Sequence, residues 1–206
     1  MTAFALVMTA SLAAAASAHD PADSIGTKPV EDKSGIYLGL RFVGSSLHAE
    51  DKGDGAFFIK DDGGGVQFDI GYRFNMAFSL EFAIGTSTHE TSEQALDANI
   101  YSIWLLGYYR FSPYSAFRPF IKFGLGGHGL DVVYGEAAAR IDGGGVAIGA
   151  GFNYFFSPHF AIGLDLTTNI IQYDTATIAL GGLEYSFEID EEGSLTTLGL
   201  SFSYNF

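Results

Sequence analysis

Charge is scarce in most of this chain, and the residues that carry it set the possible chemistry. Arg41, Asp69, Arg73, Glu81, Arg110, Lys122 and Asp165 lie within segments otherwise almost free of ionisable groups. Brought together away from water they would have to pair, because an isolated charge in a low-dielectric interior is costly. The chemistry they suggest is an ion-pair network, either a static polar filling or a gate for small ions. Other chemistries are poorly served. His19, His48, His89, His128 and His159 are scattered and form no H-E-x-x-H pair. Cysteine is absent, which excludes disulfides and thiolate metal sites. No G-x-S-x-G element occurs. Asp51-Lys52-Gly53-Asp54-Gly55 and Asp61-Asp62 approach a calcium loop but lack its spacing and distal Glu. Catalytic residues, a metal centre and a cofactor are therefore not expected.

The elements that position these charges are strands. The chain has 206 residues, enough for one domain, with 19 Phe, 11 Tyr and 27 Gly. Apolar residues recur with period two in eight segments: 35–46, 63–74, 77–88, 98–111, 118–130, 143–156, 159–171 and 194–206. In the first, Ile36, Leu38, Leu40 and Phe42 share a face. The seven charges named above all fall on the face opposite the apolar stripe, which random placement would produce about once in 130 trials. That opposite face is rich in Gly, Ala and Ser, as at Gly39, Gly71, Gly124, Gly126, Gly149, Gly151, Gly163, Gly199 and Ser201. Small residues suit a narrow lumen better than a solvated outer wall. The large aromatic stripe is then expected to face lipid, a reading favoured over a soluble barrel with an apolar interior.

Connections alternate in length. Short ones fall at Asn75-Met76, 112–117 and Ser157-Pro158, and long ones at 47–62, 89–97, 131–142 and 172–193. Tyr72, Phe74, Phe78, Tyr109, Phe111, Tyr154, Phe156, Phe160, Tyr204 and Phe206 cluster at the short-turn ends, where an interfacial aromatic girdle would sit. Within 172–193, apolar Leu183, Tyr185, Phe187 and Ile189 alternate with Glu184, Ser186, Glu188 and Asp190. This segment reads either as a projecting hairpin or as two further membrane strands, and its acids favour water.

The run Leu200-Ser201-Phe202-Ser203-Tyr204-Asn205-Phe206 and the segment 143–166, GGGVAIGAGFNYFFSPHFAIGLDL, resemble small outer-membrane barrels. The likeness spans 35–206. It is to the eight-stranded group that includes the outer-membrane protein A barrel domain and opacity-type surface proteins. The resemblance implies an all-β, closed, antiparallel up-and-down transmembrane barrel with four long extracellular loops and three short periplasmic turns. It implies that Leu200, Phe202, Tyr204 and Phe206 are the terminal signal read by the barrel assembly machinery. Residues 1–18, with an apolar core and the cleavage pattern Ala16-Ser17-Ala18, read as a signal peptide. No Lys or Arg precedes that core, which suggests an upstream start codon or an atypical signal. Residues 19–34 would then be a periplasmic segment.

The four long connections carry the whole net charge of −14, and the remainder balances at seven acids and seven bases. Such a crown argues against nucleic-acid binding. It would face lipopolysaccharide, with divalent cations as possible bridges between carboxylates and lipid. Outer-membrane lipid A deacylases carry a His-x-Ser-Asn element, whereas here Gly127-His128-Gly129-Leu130 lacks the Ser and Asn. The expected function is a non-catalytic structural or surface-interaction role in the outer membrane. The alternative is a narrow channel gated by the lumen charges, and a lipid A-modifying enzyme ranks last.

Overall fold

A computed structural model describes residues 34–49, 59–91, 97–134 and 137–206. Residues 1–18, read above as a signal peptide, all of the 19–34 segment but Ser34, and the calcium-like run 51–55 lie outside the described residues. The described chain is built from eight strands: β1 (Gly35–Ala49), β2 (Ile59–Arg73), β3 (Phe78–Thr91), β4 (Asp97–Arg110), β5 (Phe117–Tyr134), β6 (Ala137–Phe155), β7 (Phe160–Leu180) and β8 (Leu183–Asn205). Each pairs antiparallel with its sequence neighbour, and β1 pairs with β8 from Tyr37↔Asn205 to Ala49↔Gly193, closing the barrel.

Three tight turns join strands at one end. In the first, the Asn75 carboxamide oxygen accepts from the backbone N–H of Ala77 (2.9 Å) and Phe78 (2.8 Å). In the third, the Ser157 hydroxyl accepts from the N–H groups of His159 and Phe160. These are the self-capping turns that Asn and Ser favour.

The opposite end departs from the expectation of long irregular connections. Strands run on into all four: β5 reaches Tyr134 and β6 begins at Ala137, while β7 and β8 are joined only by Gly181-Gly182. Both glycines have positive φ, +59° and +82°, as a two-residue primed hairpin turn requires. Segment 172–193 is thus a continuation of β7 and β8 rather than an extra membrane-crossing pair. A register shift at Tyr173/Thr175 marks where the continuation begins.

The outer wall is apolar. Phe68, Ile84, Phe123, Leu125, Ile148 and Phe202 are exposed, Phe123 at 71 %. The ten girdle aromatics are all exposed at the turn end, and pairs such as Tyr109–Phe111 and Phe160–Tyr204 meet edge to face. The stripe stops at Phe42, Val66, Ile84, Tyr101, Leu125, Val146, Ile170 and Leu198. Beyond these, the same outward positions hold Gly44, Gly64, Thr86, Asn99, Gly127, Gly144, Gln172 and Thr196. That boundary is where a lipid-facing surface would give way to water.

Large lumen side chains lie opposite glycine on the adjacent strand. The register sets Tyr37 against Gly71, Trp104 against Gly126, Leu106 against Gly124 and Lys122 against Gly149. A Cβ on Gly71 would run into the Tyr37 ring, and one on Gly126 into the Trp104 indole and the Ile103 carbonyl. Gly126→Val should therefore destabilise the barrel by about 1–3 kcal/mol through overpacking. A lowered urea midpoint, followed by heat-modifiable gel migration of micelle-refolded protein, would register the loss.

Candidate functional site

The lumen gathers nearly all the chemistry of the barrel. Its centre is Arg41 on β1. The guanidinium lies 3.3 Å from Asp69 on β2, 3.5 Å from Glu81 on β3 and 3.2 Å from Asp165 on β7. Lys122 on β5 donates to the second Asp165 oxygen at 2.6 Å. Hydroxyls and an amide complete the carboxylate shells. Tyr37 and Tyr108 donate to the two Glu81 oxygens at 2.9 and 2.6 Å, Thr167 donates to Asp165 at 2.9 Å, and Gln67 donates to Asp69 at 2.6 Å. All five charged side chains are almost fully buried. Two cations face three carboxylates, so the cluster holds together only because each acid also accepts neutral hydrogen bonds.

Toward the turns lies a second layer of cations. Arg73 bonds to Asn205 on β8, and Arg110 donates to the Ser79 hydroxyl at 2.8 Å. Arg118, wholly buried, donates to the Ser115 carbonyl at 2.8 Å. Its guanidinium sits 4.0 Å from the centroid of the Phe155 ring, a cation–π contact. Met76, also buried, lies beside the same guanidinium.

Toward the hairpin end the lumen turns apolar. Ala98, Ile100, Leu130, Ile171 and Leu195 form a buried cluster, with Val132, Ile141 and Tyr173 packed on it. Between this plug and the ion pairs lies a cavity of ≈ 40 Å³ lined by Ser102, Trp104, His128, Asn169 and Thr197. Another, of ≈ 30 Å³, lies on the turn side among Tyr37, Asp69, Arg110 and Ser203. Each has room for a few waters and no more.

Five of the seven charges read from the sequence thus meet in one cluster, while Arg73 and Arg110 stand in the layer beneath it. Arg118, Tyr37, Tyr108, Gln67 and Thr167 were not among the expected site residues. The available signal was parity: Arg118 shares a face with Lys122, and Tyr37 and Tyr108 share faces with Arg41 and Arg110. The described histidine side chains are dispersed. His89 contacts the Ser45 hydroxyl at 3.0 Å, His128 meets Trp104 edge to face, and His159 Nδ1 is 2.8 Å from the Asn205 carbonyl. Among the described residues no three His, Asp or Glu side chains converge as a metal site. Leu200, Phe202, Tyr204 and Phe206 are all exposed on the outer wall.

A closed barrel, oily outside and ionic within, defines a membrane-spanning β-barrel protein. The model of the outer membrane protein beta-barrel domain matches residues 2–206, and the chain belongs to that family. It lies in the bacterial outer membrane. No curated protein sequence matches the chain. Among solved structures, Neisserial surface protein A superposes with a TM-score of 0.61 at 18 % identity, covering 84 % of this chain and 98 % of that one. The outer membrane protein OprG from Pseudomonas aeruginosa gives 0.58 at 16 % identity, covering 87 % and 99 %. Ail, the attachment invasion locus protein of Yersinia pestis, gives 0.55 at 14 % identity, covering 84 % and 100 %. These likenesses are of fold.

Arg41 is the hub, so its loss takes the ion-pair partner from Asp69 and Glu81 and leaves Asp165 to Lys122 alone. Arg41→Met should cost about 3–5 kcal/mol and Asp69→Asn clearly less. Equilibrium unfolding of the two variants in the same micelles would rank them; equal costs would mean that Arg41 is no hub.

Proposed function

We propose that this barrel has a shut lumen, catalyses no reaction, and acts through the surface it presents outside the cell. The observation that carries this reading is the double obstruction inside. The Arg41 ion pairs bridge β1, β2, β3 and β7, and the apolar cluster around Ile100, Leu130, Ile171 and Leu195 lies above them. A pore for hydrated ions would need polar walls at that second level, and aliphatic side chains offer an ion nothing in place of its water. The buried carboxylates are occupied by cations and hydroxyls, so they are poorly placed for acid–base catalysis. Planar-bilayer recordings of purified protein should show no discrete openings. Regular openings that change in an Asp165→Asn variant would favour a channel instead.

The acids of the hairpin end give the outer surface its character. Ail has been crystallised in complex with the heparin analogue sucrose octasulfate, a polyanion. The crown here has the opposite preference on electrostatic grounds and selects cationic partners. The outward row Leu200, Phe202 and Tyr204 on β8, with Phe206 just past its end, supports a second role, as the face offered to the assembly machinery. Phe206→Ala should lower the amount of protein in the outer membrane of cells while leaving refolding in micelles unchanged. Equal losses in both assays would reduce the role to barrel stability.

A further inference from the structure

The buried charges of the lumen do not balance. Arg41, Arg73, Arg110, Arg118 and Lys122 are buried, whereas the buried carboxylates among the described residues are Asp69, Glu81 and Asp165. All three acids are taken up by Arg41 and Lys122. Among the described residues neither Arg110 nor Arg118 has a carboxylate within ion-pair reach. Even with Arg73 left aside, Arg41, Lys122, Arg110 and Arg118 therefore exceed the carboxylates by one positive charge. In so narrow a bore that excess needs a counter-charge, because an uncompensated buried ion is costly.

The imbalance coincides with unmet hydrogen bonds and with space. Arg110 donates to the Ser79 hydroxyl, but its Nε–H is buried and finds no acceptor. Arg118 is short of one as well, at Nη2. The two residues are only 3 % and 0 % exposed. Beside Arg110 lies the turn-side cavity of ≈ 30 Å³, whose wall also holds Arg73, Asn153, Ser201 and Ser203. These donors come from β4, β2, β6 and β8. Phe155 forms another part of the wall, and the Arg118 guanidinium rests on its ring. Asp69 and Glu81 border the same space, but hydroxyls stand between Glu81 and Arg110. Ser79 accepts from Arg110, and Tyr37, 3.5 Å from Ser79, donates to Glu81.

We propose that this cavity binds one small monovalent anion, chloride in size, against Arg110 and Arg73, with Asn153, Ser201 and Ser203 as neutral donors. Chloride takes up about as much space as a water molecule, whose share of liquid volume is roughly 30 Å³. A divalent oxyanion is bulkier and would be repelled more strongly by Asp69 and Glu81. Hydrogen bonds from a guanidinium to an anion are among the stronger ones a protein makes. The ion would tie β2, β4, β6 and β8 together at the turn end, whereas the ion pairs above it join β1, β2, β3, β5 and β7. Folding of the barrel then takes up one anion, and its stability follows the anion's concentration.

The full chain, folded in nonionic micelles without chloride, is unfolded in urea while chloride replaces gluconate. Holding ionic strength fixed removes general screening from the comparison. Uptake of one ion requires the folding constant to rise close to tenfold for each tenfold rise in chloride above half-saturation. Bromide must substitute for chloride, and crystals grown in bromide must show its anomalous signal within hydrogen-bond reach of the Arg110 guanidinium. Arg110→Gln must flatten the chloride dependence. Should that variant fail to fold, Asn153→Leu, which keeps every cation, must weaken chloride binding by about tenfold. A folding constant indifferent to chloride overturns the proposal. So does a bromide signal found only elsewhere, or a chloride dependence that both variants leave unchanged; Arg110 would then be hydrated by water alone.

Discussion

A backbone crossing lipid has no water to satisfy its N–H and C=O groups, and this constraint governs the whole molecule. A β-structure meets it only by closing its ladder, which makes the β1–β8 seam as necessary as any hairpin. Closure at eight strands fixes a narrow bore. The bore in turn favours glycine beside bulky interior residues: the space for Trp104 exists because Gly126 lies across from it, and that for Lys122 because Gly149 does. The outward face has no such limit, and rings as large as Phe68 and Phe123 crowd it freely.

Ion pairs inside so small a barrel are expensive to form but more expensive to break. Removing two charges from water costs several kcal/mol each, and attraction returns this only when the remaining lone pairs are also satisfied. Tyr37, Tyr108, Thr167 and Gln67 perform that service, each from the strand that carries, or a strand near, the acid it supports. The same groups link strands far apart in sequence, with Arg41 and Asp165 meeting across the β8 wall. What the cluster contributes beyond net stability is selection of one register. Sliding β1 by one residue would turn Arg41 into lipid and a stripe residue into the lumen.

Strand phase was legible in the sequence wherever apolar residues faced lipid, because period-two alternation and the lumen requirement agree there. The turn ends were legible too, since Asn75, Ser115 and Ser157 are turn formers by their own hydrogen bonding. The hairpin ends were legible only in part. Above Ile170 and Leu198 the apolar side chains change faces, and a rule of apolar outward reads such residues as loop. The alternation of Leu183, Tyr185, Phe187 and Ile189 with polar residues gave a projecting hairpin as one of two readings, but nothing in it set the turn at Gly181-Gly182 or the register beyond Tyr173. The cluster was legible as charges on one face but not as a set of partners. Tyr37 and Tyr108 are indistinguishable in type from the girdle tyrosines, and only the cross-strand register shows which carboxylate each one reaches.

The reversal of polarity bears on what the outer end of the barrel is for. If the strands had simply run past the membrane, their outward stripe would become polar and their inward face could stay small and polar like the lumen. Instead β6, β7 and β8 place Ile141, Ile178, Leu180, Tyr185 and Phe187 on the inner side. Ile141 is consumed by the plug, while the last four remain wet. Burying that surface would favour association at roughly 25 cal/mol per Å² before the entropy of docking is set against it. A sheet that stays in register to Leu180↔Leu183 without covering those side chains resembles half of an interface more than the end of a barrel.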